Sequence, residues 1–226
     1  GGGTVVYTSP WTMHDYIEDI EVREDGGTPP FMQGIRAALA VQLKDEMDPA
    51  KIELREHELI NYFFDEFEKV EALTILAEQH RDRLGVISFI HKHIHYNLFV
   101  RLLNDYFGVQ VRGGCACAGT YGHYLLEIGH MNALSLRAQI LKGDSLNKPG
   151  WVRLSIHPTM SDHEAEYIMD AIRQVAKNAD SWAKDYMYQP TKNEFLYIGT
   201  NKSTHEIDIV DQLFATNAKT ETETTF

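Results

Sequence analysis

Cysteine is scarce in this chain. Of 226 residues only Cys115 and Cys117 carry a thiol, one residue apart. Such a pair cannot build a disulfide framework, so nothing argues for secretion and a cytoplasmic setting is expected. Long apolar runs are also missing: none reaches the ~18 residues of a spanning helix. Positive charge is in short supply. Lys and Arg number 21 against 33 Asp and Glu, a formal net charge of −12. So acidic a chain lacks the cations that neutralise phosphates, which argues against nucleic acid and anionic membrane as partners. The start, Gly1-Gly2-Gly3-Thr4, has neither an initiator Met nor a basic-then-apolar leader and reads as the middle of something.

What is present suits a globular chain. Apolar residues make up 43% and charged residues 24%, close to the globular average. Eleven His soften the negative charge below about pH 6.5. The β-branched Thr4 to Thr8 stretch predicts a strand, closed by Pro10. Met13 to Asp25 predicts a short helix or ordered connection, and residues 26–30 a loop. Phe31, Ile35, Leu39 and Leu43 recur at helical spacing and predict a helix to Met47. Asp48 and Pro49 supply N-cap and first-turn chemistry for a second helix to about Val70, with Ile52, Leu59, Ile60 and Phe63 as its stripe.

Strands are expected at Leu73–Leu76, Leu84–Phe89, Val109–Arg112 and Trp151–Ile156. Helices are expected at Tyr96–Phe107, with Phe99, Leu102, Leu103 and Tyr106 inward and Gly108 as its stop, and at Thr120–Ile128. Ser161 and Glu164 form a capping box that opens a helix to about Asp180, apolar along Ala165, Ile168, Ile172, Val175, Ala176 and Ala179. Interleaved helices and strands after residue 70 give an α+β class with a small sheet, preceded by long helices. Ile207 to Phe214 could dock on the domain or a partner, and Lys219 to Phe226 is a polar tail.

The densest chemistry lies in Val111-Arg112-Gly113-Gly114-Cys115-Ala116-Cys117-Ala118-Gly119. Small residues clear the way for backbone to approach a ligand. Arg112 and Arg153, each at a strand, have planar forks that hold a carboxylate or phosphate through two hydrogen bonds. A thiolate is a nucleophile where nearby cations depress its pKa. Plainer roles exist for each: a buried Cys is commonly a small hydrophobe, and an Arg commonly a surface ion pair. Zinc is not expected, because no second Cys pair completes four ligands. His91, His93 and His95 would share a strand face as a metal site; a polar strand-to-helix junction is the favoured reading. His123 could lower a thiol pKa if its helix folds back on Cys117.

Four segments stand in one order: Gly1-Gly2-Gly3-Thr4-Val5, Arg23-Glu24-Asp25-Gly26-Gly27-Thr28-Pro29, the Val111 to Gly119 segment, and Gly150-Trp151-Val152-Arg153-Leu154-Ser155. In this order residues 1–180 resemble the C-terminal part of class V aminotransferase-fold enzymes, the pyridoxal-phosphate family of cysteine desulfurases, selenocysteine lyases and relatives. The resemblance implies the C-terminal small domain of a fold-type I enzyme: a small sheet flanked by helices, preceded by a strand and interdomain helices from the end of the large domain. Residues 1–47 then close the cofactor domain, 48–198 form the small domain and 199–226 a tail.

The resemblance also implies a homodimer with sites at the subunit boundary. Gly1, Gly2 and Thr28 occupy the places that reach the cofactor phosphate of the partner subunit; Thr28 could equally N-cap the helix behind Pro29. Arg112 and Arg153 occupy the places of the family's two arginines, the second a binder of a substrate α-carboxylate. Cys117, five residues after Arg112, occupies the place of the persulfide-forming Cys of desulfurases. Many desulfurases have Thr-Gly-His-His-Cys where this loop reads Gly-Gly-Cys-Ala-Cys. That loop also suits amino-group transfer or other carbanion chemistry. The family's Schiff-base Lys stands before the glycine segment, and no Lys of this chain has its context. The expectation is therefore a fragment or split-gene half whose large domain is missing and which is inactive alone, acting in the whole enzyme on a small amino acid. The alternative is a non-catalytic dimerisation or binding module of the same fold.

Overall fold

The computed structural model describes residues 3–115 and 118–198. In chain order the elements are β1 (Val5–Thr8), β2 (His14–Tyr16), α1 (Ile20–Glu24), α2 (Phe31–Met47), α3 (Pro49–Phe67), β3 (Leu73–Ile75), β4 (Val86–His91) and α4 (Tyr96–Phe107). They continue with β5 (Arg112–Gly114), α5 (Gly119–Leu125), α6 (His130–Leu141), β6 (Trp151–Ser155), α7 (Asp162–Trp182), β7 (Tyr186–Gln189) and β8 (Glu194–Tyr197). The architecture is mixed helix and strand. Packing divides it into two units, residues 1–52 and 53–226.

In the first unit β1 and β2 pair antiparallel and α1 is capped by the Asp19 carboxylate. The helix α2 forms over the expected residues but buries none of them. Its stripe of Phe31, Ile35, Leu39 and Leu43 is exposed. Thr28 does not cap it: Pro30 holds the cap position without a side-chain bond. Asp48 closes α2 and opens α3, accepting from the Ala50 amide at 3.1 Å.

The second unit is built on an antiparallel sheet of order β3-β4-β6-β5. Its core is apolar, centred on Phe63, Phe89, Phe99, Leu102, Ile172 and Val152. Phe89 packs edge-on between Phe67 and Phe99, with centroids 4.9 and 5.4 Å away, the arrangement ring quadrupoles favour. Left-handed Gly108 ends α4, and both halves of the Ser161–Glu164 capping box are made at α7. The hairpin β7–β8 forms a separate two-stranded ribbon.

Several expectations are corrected. The second strand of the sheet runs Val86–His91 rather than from Leu84. The chain bends at Gly85, and Leu84 is left 76% exposed. The glycine strand is Arg112–Gly114, not Val109–Arg112, because Gly113 alone fits against Asn97. Tyr106 is not inward; it is exposed and stacks on Trp182 at 4.1 Å. The predicted Thr120–Ile128 helix is shorter, Gly119–Leu125, and Glu127 beyond it takes a positive φ of 53°. Met13 to Asp25 holds a short strand as well as a helix. The helix α6 and the β7–β8 hairpin had no counterpart in the sequence reading; α6 buries nothing, so it shows no apolar period. Residues 207–214 and 219–226 lie outside the described residues.

Candidate active site

One face of the sheet carries the arginines. Arg112 on β5 pairs with Arg153 on β6, and Arg153 pairs with Ser88 on β4. Cross-strand partners share a face, so Ser88, Arg153 and Arg112 form a row across three strands. Next to them on β6, two residues from Arg153, Trp151 is buried beneath Gly122 of α5. A Cβ on Gly122 would lie 3.0 Å from the indole. Arg112 is exposed and Arg153 half-buried. The Nε of Arg153 is buried without a hydrogen-bond partner among the described residues. A buried donor left unpaired is costly, so this guanidinium is poised for an acceptor.

The other face explains the glycines. Tyr96, at the start of α4, lies flat against the backbone of β5 and the entry to β6. A Cβ on Gly150 would meet its ring at 2.5 Å, and one on Gly113 would meet Asn97 Oδ1 at 2.6 Å and the Tyr96 ring at 3.2 Å. Burial pushes the Tyr96 phenol up, partly offset by its bond from Asn193. Beyond Gly113, Gly114 takes a φ of +114°, which an L side chain rarely adopts. Half-exposed Cys115 follows, and its carbonyl accepts from the Ala118 amide at 2.8 Å.

Sequence reasoning missed Tyr96, Asn97 and Asn193. Gly113 and Gly150 were the available signal, since a strand glycine marks a close backbone approach. Of the residues singled out, the structure brings Arg112 and Arg153 together. Cys117, Gly1 and Gly2 lie outside the described residues. Thr28 is exposed in the loop before α2, next to Gly27 with φ +102°. A Cβ on Gly3 would lie 4.0 Å from the Gly27 amide, so two glycine segments approach within this unit.

The histidines do not share a strand. β4 ends at His91, whose Nδ1 accepts from the His93 and Ile94 amides, each at 3.1 Å. His95 is the N-cap of α4, its Nδ1 accepting from the Asn97 amide at 3.1 Å. Burial lowers its pKa to about 4. Among the described residues no group of three or more His, Cys, Asp or Glu could hold a metal. His123 turns Nδ1 to the Gly119 carbonyl at 2.8 Å. No described helix is long and apolar enough to cross a membrane.

Comparison with known proteins gives a consistent result. Residues 1–168 match the family model described as Aminotransferase class-V. A cysteine desulfurase of Haloferax volcanii is 30% identical over 100 residues, covering 44% of this chain and 23% of that protein. The apo structure of a cysteine desulfurase from Thermococcus onnurineus superposes with a TM-score of 0.53 at 23% identity, covering 79% of this chain and 38% of the other. The cysteine desulfurase CsdA of Escherichia coli gives 0.53 at 18% identity, covering 78% and 38%. These two likenesses show the fold. The match spans under a quarter of the curated relative's length.

Proposed function

Because the chain belongs to the aminotransferase class-V family, we propose that it is the small-domain part of a pyridoxal-phosphate enzyme that takes sulfur from cysteine. The observation that carries the reading is the paired Arg112 and Arg153 on one sheet face, followed directly by the Gly-Gly-Cys-Ala-Cys loop.

Each unit, taken by itself, holds residues that fit one requirement of such an enzyme. At the substrate end, the unpartnered Nε of Arg153 lacks only an acceptor, which an α-carboxylate supplies. At the phosphate end, exposed Thr28 offers a hydroxyl beside the backbone of Gly27 and Gly3, a donor set suited to an anion. Gly1 and Gly2 extend the same segment. Bound pyridoxal phosphate supplies an electron sink for the substrate; its Schiff-base Lys belongs to the large domain.

This chain's own residues bind and accept. Arg153 holds the substrate carboxylate, and Arg112 adds a second cation that orients it. Cys117 as thiolate attacks the substrate sulfur. The S–S bond of a persulfide forms, the substrate C–S bond breaks, and the carbon takes a proton to leave as alanine. A homodimer in the cytoplasm belongs to the same reading, and the exposed apolar stripe of α2 supports a partner surface.

The test uses the complete protein with L-cysteine and follows alanine release. Cys117→Ala should abolish it. Arg153→Ala should raise KM by about tenfold or more, the worth of a lost charge-assisted bond. Undiminished desulfuration in Cys117→Ala would remove the thiol from the mechanism. Amino-group transfer without sulfide would reassign the reaction within the family.

A further inference from the structure

The hairpin β7–β8 (residues 186–197) lies beyond residues 1–168, the part that matches the family model. Its turn nevertheless reaches the glycine–cysteine strand. Asn193 stands at that turn with a φ of +54°, a conformation Asn tolerates better than most residues. Three hydrogen bonds converge on it. Its carbonyl accepts from Asn97 Nδ2 at 2.6 Å, its Nδ2 donates to the Tyr96 hydroxyl at 3.1 Å, and its Oδ1 accepts from the Tyr188 hydroxyl at 2.9 Å.

Its two partners on α4 are the residues that press on the active-site strand. Tyr96 lies on Gly113 and Gly150, and Asn97 Oδ1 lies on Gly113. The His95 ring stacks on Tyr96 at 4.2 Å and packs against Phe195 of the hairpin at 5.3 Å. Cys115 follows Gly114 directly at the end of that strand. Tyr96 is only 8% exposed. Without Asn193 its hydroxyl would be buried and unpaired, a state that costs enough to move the ring.

We propose that Asn193 is a positioning residue: through Tyr96 and Asn97 it clamps the end of β5 and so fixes the Cys115 side of the thiol loop. The proposal rests on the reading of that loop as the reactive segment. The hairpin is then part of the active-site architecture of this chain, not an appendage to it.

The test is the native-state alkylation rate of Cys115 by iodoacetamide, resolved from Cys117 by peptide mass spectrometry. Asn193→Gly keeps the positive φ and removes both side-chain bonds. Asn193→Asp keeps the acceptor toward Tyr188 and loses the donor toward Tyr96. Tyr96→Phe removes the hydroxyl alone. Each should speed Cys115 alkylation about fivefold, the equilibrium worth of one net hydrogen bond. The Asn193→Gly, Tyr96→Phe double variant should be no faster than either single one, because both act on one path. Tyr167→Phe, which loses a comparable bond to the Phe107 carbonyl, should leave the rate unchanged. An unchanged rate in both Asn193 variants, multiplying effects in the double, or an equal acceleration in Tyr167→Phe would overturn the proposal. Persulfide on Cys117 of the unaltered complete protein is measured separately, so failure of the desulfurase reading is seen apart from failure of the clamp.

Discussion

Arg112 and Arg153 stand directly opposite each other across β5 and β6. Neither forms an ion pair among the described residues, although the chain carries a net charge of −12. Several other arginines find carboxylates: Arg55 bonds Glu58 and Asp162, and Arg173 bonds Glu66. Like charges facing across a sheet are destabilising. The pair is therefore a cost to the fold, and on the proposed reading an anionic substrate offsets it.

Removing one charge should reveal that cost. Arg112→Ala is expected to stabilise this chain by about 0.2–1 kcal/mol at low salt, less at high salt because Arg112 is exposed. Urea melts at two ionic strengths measure it. A loss of stability at low salt would mean that Arg112 has a structural partner.

Acid should loosen the junction between β4 and α4. His95 caps α4 through a neutral Nδ1, packed among Tyr96, Tyr188 and Phe195 beside the Leu146 carbonyl. Its folded pKa is lowered to about 4 by burial, against about 6.5 unfolded. Between those values the unfolded chain binds more protons. Stability is fully present above pH 6.5 and is lost as pH falls toward 4, on the order of 1–2 kcal/mol. His91 is shifted the same way, first by burial, and faces Asp180 and His93. His95→Asn keeps a capping side chain and removes the titration. Thermal melts from pH 7 to pH 4.5 should therefore fall less steeply for His95→Asn than for the unaltered chain.

The glycines separate by role. A Cβ on Gly150 would sit 2.5 Å from the Tyr96 ring, whereas a Cβ on Gly34 in α2 would meet nothing within 4 Å. Gly150→Ala should cost about 1–3 kcal/mol through overpacking. Gly34→Ala should gain about 0.5–1 kcal/mol of helix propensity. Equal effects in chemical denaturation would show that Tyr96 yields freely.

Much of this was legible before any coordinates. The α2 and α4 ranges, the Gly108 stop and the Ser161–Glu164 capping box followed from period and end chemistry. What stayed hidden depends on contacts far apart in sequence. The bend at Gly85 lies against the Ile156 carbonyl, and strand residue Gly113 lies against Asn97. The α6 helix has no buried face to betray it. Asn193 reads locally as a turn residue, and its bonds to Tyr96 and Asn97 span more than ninety positions. The arginine pair was visible as two candidates; their opposition across a sheet was not.

The most direct test of the sulfur-transfer reading is mass spectrometry of the peptide that contains Cys115 and Cys117. The complete protein is exposed to L-cysteine, alkylated under non-reducing conditions and digested. The account predicts the added mass of one sulfur atom on Cys117, lost when L-alanine replaces L-cysteine. Alanine and sulfide released without any sulfur on Cys117 would contradict it.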